Sequence, residues 1–345
     1  MKKFFFIIIC LSFFCSCKTT QSGKSSKIEE INGLDVSISK NEIVEDVSID
    51  SLSFSQIWTY LIDGNEKYLD YDFPLTDIGY FGAEVNSYGE LINIPKSKKI
   101  EKFKGRLHLV VTCNSTSLTH FILEKEGNVR EPLIKSLVEA TQDFDGLQID
   151  FEYVPKRDKD TFFSFLQELR QQLPDKIFSV ALPARTNVIE NDVYDYERIS
   201  SIVDYIFVMA YDEHWSTSAP GAIASIDWCE RIAKHSKSVI PKEKLIMGLP
   251  FYGRTWGNVS LNRAYFFSGI QRILAEHNVS EIKRINGIPS FEYEISNVKV
   301  TGFYDDVYSL MERLNLYKNL NIDFVGFWCL GQEDSRIWNF IQSSE

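Results

Sequence analysis

From about residue 57 onward, short β-branched or aromatic runs alternate with longer amphipathic stretches. The runs predicted as strands are Ile57–Ile62, Asp77–Phe81, Leu107–Cys113, Gly146–Phe151, Ile177–Leu182, Tyr205–Met209, Leu245–Leu249 and Phe324–Cys329. Apolar residues at three- and four-residue spacing predict helices over Val129–Gln142, Asp160–Leu173, Ile226–Ser236 and Asp305–Tyr317. Pro174 and Pro241 follow such stretches, where proline stops a helix. Strands alternating with helices predict an α/β fold with a parallel sheet. The length suits a single (β/α)8 TIM barrel. An open doubly wound sheet is the rival, but its usual G-x-G-x-x-G or Walker A loop does not occur in the chain.

One interval is too long for a single helix. Roughly 70 residues separate the seventh and eighth strands, which predicts a small α+β insertion at about 255–302. It carries a helical pattern at Phe267–His277 and strand-like pieces near Ser290–Tyr293 and Val298–Phe303. In a barrel such a loop lies on the C-terminal face, where active sites are built.

The beginning of the chain follows another rule. Lys2 and Lys3 precede an apolar run from Phe4 to Phe14, which suits a signal h-region and is too short to span a membrane. The run ends in Ser16-Cys17, which resembles a bacterial lipoprotein lipobox, with Cys17 as the lipidated residue. A plain secretory signal and an uncleaved anchor are the alternatives. Residues 1–16 are thus expected to be a signal peptide, 17–54 a polar tether rich in Ser, Thr, Lys, Glu and Asp, and 55–345 the globular domain. The expected location is the bacterial cell envelope, on the outer side of a membrane, through the lipid or by secretion. Nothing in the chain points beyond a monomer.

Composition narrows the function. The net charge of −11 disfavours sequence-independent nucleic-acid binding, which needs basic residues at phosphates. Of six cysteines, Cys10, Cys15 and Cys17 lie in the signal region. Cys113, Cys229 and Cys329 are widely spaced, so they make neither a disulfide framework nor a metal signature and read as small core residues.

The predicted fourth strand carries the chemistry. In Asp145-Gly146-Leu147-Gln148-Ile149-Asp150-Phe151-Glu152, side chains alternate, so Leu147, Ile149 and Phe151 share one face. Gln148, Asp150 and Glu152 share the other, pointing into the barrel. Strands of a parallel sheet are usually apolar on both faces, yet here two carboxylates stand about 6–7 Å apart along one face. Burial and like charge both favour keeping one carboxyl protonated. Glu152, at the C-terminal end of the strand, is the natural proton donor and Asp150, one step deeper, its partner. The alternative is a structural hydrogen-bond network inside the barrel.

The run resembles the D-G-x-D-x-D-x-E signature of family 18 glycoside hydrolases, with Gln148 where the first Asp of D-x-D-x-E stands. Val208-Met209-Ala210-Tyr211-Asp212 resembles that family's sixth-strand M-x-Y-D motif, Leu245–Gly253 its seventh strand and loop, and Val325–Trp328 its eighth. DFEYVP at 150–155 and SVALPART at 179–186 are most similar to the spore-cortex-lytic and peptidoglycan N-acetylglucosaminidase branch. That branch tends to carry an amide where Gln148 sits. The resemblance implies a retaining, substrate-assisted hydrolase of glycans containing N-acetylglucosamine, peptidoglycan or chitin-like, with no metal and no organic cofactor. Glu152 is the implied acid and base, Asp150 steadies the acetamido N–H, and Tyr211 bonds the acetamido carbonyl. Gln148, being neutral, is left to hydrogen-bond Asp150.

Other positions are less defined. Trp328 either stacks under the sugar or fills core. Asp212 lines the acetamido pocket or forms a buried salt bridge. Trp215 and His214 follow the sixth strand on the active face, Tyr252 is a cleft-lining candidate, and Tyr80 and Phe81 are cleft wall or core. Asp305 and Asp306 read as helix N-terminal residues. A non-catalytic glycan-binding protein on the same barrel remains the alternative, with Gln148 in its favour and the presence of Glu152 against it.

Overall fold

The computed structural model describes residues 50–344. The expected signal peptide, the lipidation site at Cys17 and nearly all of the expected tether lie outside those residues. Eight parallel strands form the centre: β1 (Gln56–Ile62), β2 (Asp77–Val85), β3 (Arg106–Thr112), β4 (Gly146–Asp150), β5 (Ile177–Pro183), β6 (Tyr205–Met209), β7 (Leu245–Pro250) and β8 (Phe324–Trp328). Neighbours in sequence pair in parallel, and β8 pairs with β1 (Gly326 opposite Trp58), closing the sheet into a barrel. All eight coincide with the β-branched and aromatic runs, because those residues fit a pleated surface buried on both sides.

The helical ring is less regular than the strands. The expected helices appear as α2 (Arg130–Thr141), α3 (Lys159–Gln172), α5 (Ile226–Val239) and α7 (Val307–Asn319). Helix α3 turns Phe162, Phe163, Phe165, Leu166 and Leu169 onto the barrel, matching its sequence spacing. Two further helices, α1 (Thr116–Leu123) and α4 (Tyr196–Ser200), are too short to establish a periodicity; side-chain caps from Ser115 and Asp195 start them. After β1 and β2 the described chain makes 3-10 turns at Glu66–Tyr68 and Ser97–Ile100 in place of α-helices.

Composition assigned residues up to 54 to the tether. The structure corrects the end of that segment: Leu52–Phe54 form a strand parallel to Ile341–Ser343, and Phe54 is fully buried. The pattern is only three residues long and its partner is at the far end of the chain, so local composition does not reveal it.

The insertion after β7 is a five-stranded antiparallel sheet. Its order is Arg263–Tyr265, Gly253–Trp256, Val298–Phe303, Ile288–Ile295, Lys283–Ile285. Helix α6 (Phe267–Glu276) packs Ile270 and Ile273 with Phe291 and Tyr304. A second cluster, Tyr252, Trp256, Ile288 and Phe303 with Ala222 and Ile223, meets Tyr211 and Trp328 at the barrel mouth.

The barrel interior is a packed core containing Trp58, Tyr60, Val110, Ala181, Phe207 and Ile246. Phe207 fits because its ring crosses a side-chain-free position on β8: a Cβ on Gly326 would stand 2.2 Å from Phe207 Cε2. Gly326→Ala is therefore expected to cost about 1–3 kcal/mol by overpacking, read as a fall in the urea midpoint. Phe207→Leu in the same chain should recover part of the loss. Equal midpoints for wild type and Gly326→Ala would contradict this packing.

Candidate active site

The site is built on β4 and begins below the reacting groups. Asp145 accepts the Leu107 N–H at 2.8 Å, fixing the entry of β4 against β3. Gly146 follows because a Cβ there would lie 2.4 Å from His108 Nδ1. The His108 ring stacks on Trp58 with centroids 4.3 Å apart, and its Nε2 lies 2.7 Å from Asp77 Oδ1. Arg106 reaches the other oxygen of Asp77 at 2.8 Å. Burial works to raise Asp77, but His108 and Arg106 outweigh it and hold this carboxyl below its ordinary range.

One tier higher sits Gln148, fully buried. Its Oε1 accepts the Tyr60 hydroxyl at 2.6 Å and its Nε2 donates to Ser179 Oγ at 3.1 Å. This corrects the expectation that Gln148 bonds Asp150. Tyr60 on β1 and Ser179, opposite Gln148 on β5, take both ends of the amide. Tyr60 was missed from sequence. Its available signal was its place beside Trp58 and Ile62 on one face of β1, an aromatic with a polar tip among inward residues.

Asp150 ends β4 and is 5% exposed. Its Oδ1 has no hydrogen-bond partner, and neither does Oγ1 of Thr112, the residue opposite it on β3. Burial first, and the charge of Glu152 second, push Asp150 well above its ordinary value of 3.8. Glu152 itself lies two residues further on, in the turn beyond the strand, and is exposed. A buried carboxyl pushed toward its protonated form thus sits beneath one that meets solvent.

Tyr211 follows β6 and faces the same space. Burial, then Tyr60, Asp150, Tyr252 and Glu152, push its hydroxyl well above 10.0, so it stays a neutral donor. Tyr252 donates to Asp212 Oδ1 at 2.5 Å, and Arg254 Nη2 stands 3.6 Å from the same oxygen. Asp212 adopts a left-handed φ of 58° and is partly exposed, so it joins a salt bridge while remaining at the mouth. Arg254, from the insertion, was not foreseen. Trp328 is partly exposed, with Tyr60 and Phe81 rings at 5.1 and 5.0 Å. The Trp215 indole donates to Thr217, and its carbonyl accepts from Trp256.

Several candidates lie elsewhere. His214 bonds the Ala222 carbonyl and lies against Gly221. Tyr80 is buried and bonds Glu66 and Asp63. Asp306 caps α7 and Asp305 pairs with the buried Arg313. Cys113, Cys229 and Cys329 are free and buried.

A closed parallel barrel with stacked carboxyls at the end of one strand is a scaffold for acid–base chemistry. Residues 78–333 match the glycosyl hydrolases family 18, and the chain belongs to that family. It is 25% identical over 287 residues to the cortical fragment-lytic enzyme of Bacillus subtilis (strain 168), covering 76% of this chain and 66% of that protein. The B. subtilis glycosylases YdhD and YvbX are 28% and 29% identical, over 63% and 57% of this chain; the matches span 54% and 60% of their own length. Among solved structures, the Bacillus cereus spore cortex-lytic enzyme SleL superposes with a TM-score of 0.76 at 23% identity, over 85% of this chain and 76% of that one. A chitinase from Chromobacterium violaceum gives 0.74 at 20%, over 83% and 97%.

The raised Asp150 pKa has a consequence for stability. Below about 3.8 the carboxyl is protonated in both folded and unfolded chains. As pH rises, the unfolded chain ionises first, so stability is lost until the folded carboxyl also titrates. Asp150→Asn is expected to raise the melting temperature at neutral pH, with the gain shrinking as pH falls through the ordinary carboxylate range. Melting curves across that range test it; a variant less stable than wild type at neutral pH contradicts it.

Proposed function

We propose that this chain is a retaining hydrolase of β-linked N-acetylglucosamine in peptidoglycan or a related glycan. The observation that carries the reading is the vertical pair: exposed Glu152 above buried, proton-retaining Asp150, with the Tyr211 hydroxyl facing both. The pair shares one proton, held by Asp150 in the free site and passed to Glu152 when substrate binds, which leaves Asp150 ionised. In the first step Glu152 gives a proton to the glycosidic oxygen, and the bond from that oxygen to the anomeric carbon breaks. The acetamido oxygen of the same sugar forms the new bond to that carbon, so the substrate supplies the nucleophile. Asp150 accepts from the acetamido N–H as positive charge develops, and Tyr211 donates to the acetamido oxygen. Water then attacks the anomeric carbon, its proton passes to Glu152, and the ring opens with net retention. Two inversions at one carbon give that outcome.

The names of the cortical fragment-lytic and chitinase relatives support a glycan substrate. Trp328, walled by Tyr60 and Phe81, offers a partly exposed indole for a sugar face. Removing the acid should cost about 100- to 10,000-fold in turnover. Purified protein and Glu152→Gln would each be incubated with peptidoglycan and with chitin oligomers, and products read by mass spectrometry. Fragments ending in reducing N-acetylglucosamine, or the free sugar, are expected from wild type alone, with glycan binding kept in the variant. Retained binding without turnover in wild type overturns the hydrolase in favour of a sugar-binding protein.

We further propose that Cys17 carries a lipid that holds the domain at the cell envelope. The polar stretch after Cys17 gives the domain reach from the membrane. Cys17→Ser is expected to move the protein from the membrane fraction to the soluble fraction; unchanged partition contradicts the lipid anchor.

A further inference from the structure

Glu152 stands on an exposed turn, yet a general acid must be held to within a fraction of an ångström of its working place. The turn is fastened from outside β4, by the loop that follows β5. Tyr194 in that loop is 6% exposed. Its hydroxyl donates to the Phe151 carbonyl at 2.8 Å and accepts the Val154 N–H at 3.1 Å. A single hydroxyl therefore ties the backbone on both sides of Glu152 and Tyr153.

The tyrosine is itself held. Its backbone N–H bonds Asp192 Oδ1 at 3.2 Å, and Asp192 grips Arg185 at 2.6 and 3.1 Å. The Arg185 guanidinium lies 5.7 Å from the Tyr194 ring centroid, and Phe162 meets that ring edge-on. Burial, and the charges of Glu152 and Asp150, keep the hydroxyl protonated, as a donor to Phe151 requires.

We propose that Tyr194 is a positioning residue for the general acid: its hydroxyl sets where Glu152 stands above Asp150, and the Arg185–Asp192 pair holds the tyrosine in place. The proposal rests on the hydrolase reading for its kinetic consequence. It does not rest on it for its electrostatic one. If Tyr194 fixes the spacing of the two carboxyls, removing its hydroxyl changes how strongly they share a proton.

The test is Tyr194→Phe, which keeps the ring and removes only the two bonds. Tyr196→Phe is the control: the Tyr196 hydroxyl, at the start of α4, donates to the Pro183 carbonyl at the end of β5 at 2.7 Å and leaves the Glu152 turn alone. Tyr194→Phe is expected to lower kcat about 10- to 100-fold with KM nearly unchanged, and to shift the titration of the Asp150–Glu152 pair followed by carbon NMR. Tyr196→Phe should lower the melting temperature while leaving both readouts at wild type. An unshifted titration in Tyr194→Phe, or equal shifts in both variants, overturns the positioning role. Absence of turnover in wild type would instead overturn the hydrolase reading, while the titration still decides the role of Tyr194.

Discussion

Burying a carboxyl oxygen without a partner is expensive, and the barrel contains one at its upper end, Asp150 Oδ1. Everything around Asp150 is consistent with keeping that group uncharged until a ligand supplies a bond. Asp77 makes the contrast within the same barrel. It is fully buried, but Arg106 and His108 bond its two oxygens and pull its proton affinity down. Asp150 has Gln148 beneath it instead, and that amide is spent on Tyr60 and Ser179. Two carboxyls in one barrel are thus driven in opposite directions by their neighbours. The lower is favoured in its ionised form and the upper in its protonated form.

The difference bears on the amide at position 148. A carboxylate there would put a second negative charge under Asp150 in a space that already excludes water. The Gln148 side chain, one methylene longer than the signature's aspartate, carries no charge and bonds both Tyr60 and Ser179. The departure from the family signature therefore simplifies the charge balance of the site without emptying it. Tyr60 benefits as well: burial, then Asp150 and Glu152, keep its hydroxyl protonated, and Gln148 accepts the proton it can give.

Legibility in the sequence followed the range of the physics. All barrel strands could be read because each is a self-contained run rich in β-branched, aromatic or other apolar residues. The paired carboxylates could be read because alternation places them on one face within a few residues. The partners of those groups could not, since they come from distant parts of the chain: Tyr60 is 88 positions from Gln148, and Tyr194 is 43 from Phe151. Nor could the short helices α1 and α4, whose starts are set by single capping side chains at Ser115 and Asp195. The strand at Leu52–Phe54 escaped for a third reason. Its strand partner, Ile341–Ser343, is at the other end of the chain.

The walls of the mouth come from loops, and loops are ordinarily the mobile part of a barrel. Here they are cross-tied instead. Trp256 donates to the Trp215 carbonyl, Asn262 to the Ser216 carbonyl, and the Phe267 N–H to the Gln332 carbonyl, so the insertion is bonded to the loops after β6 and β8. Next to these loops, where no α-helix follows β1, Tyr80, Gly64 and Lys99 converge on Glu66 and, against the effect of burial, hold it at about 2. A charged, bonded turn takes the place of the missing helix there. The geometry above Asp150 is therefore set by polar ties between loops as much as by the strands beneath. Changes that leave the barrel intact but cut one of those ties should act on the site before they act on the fold.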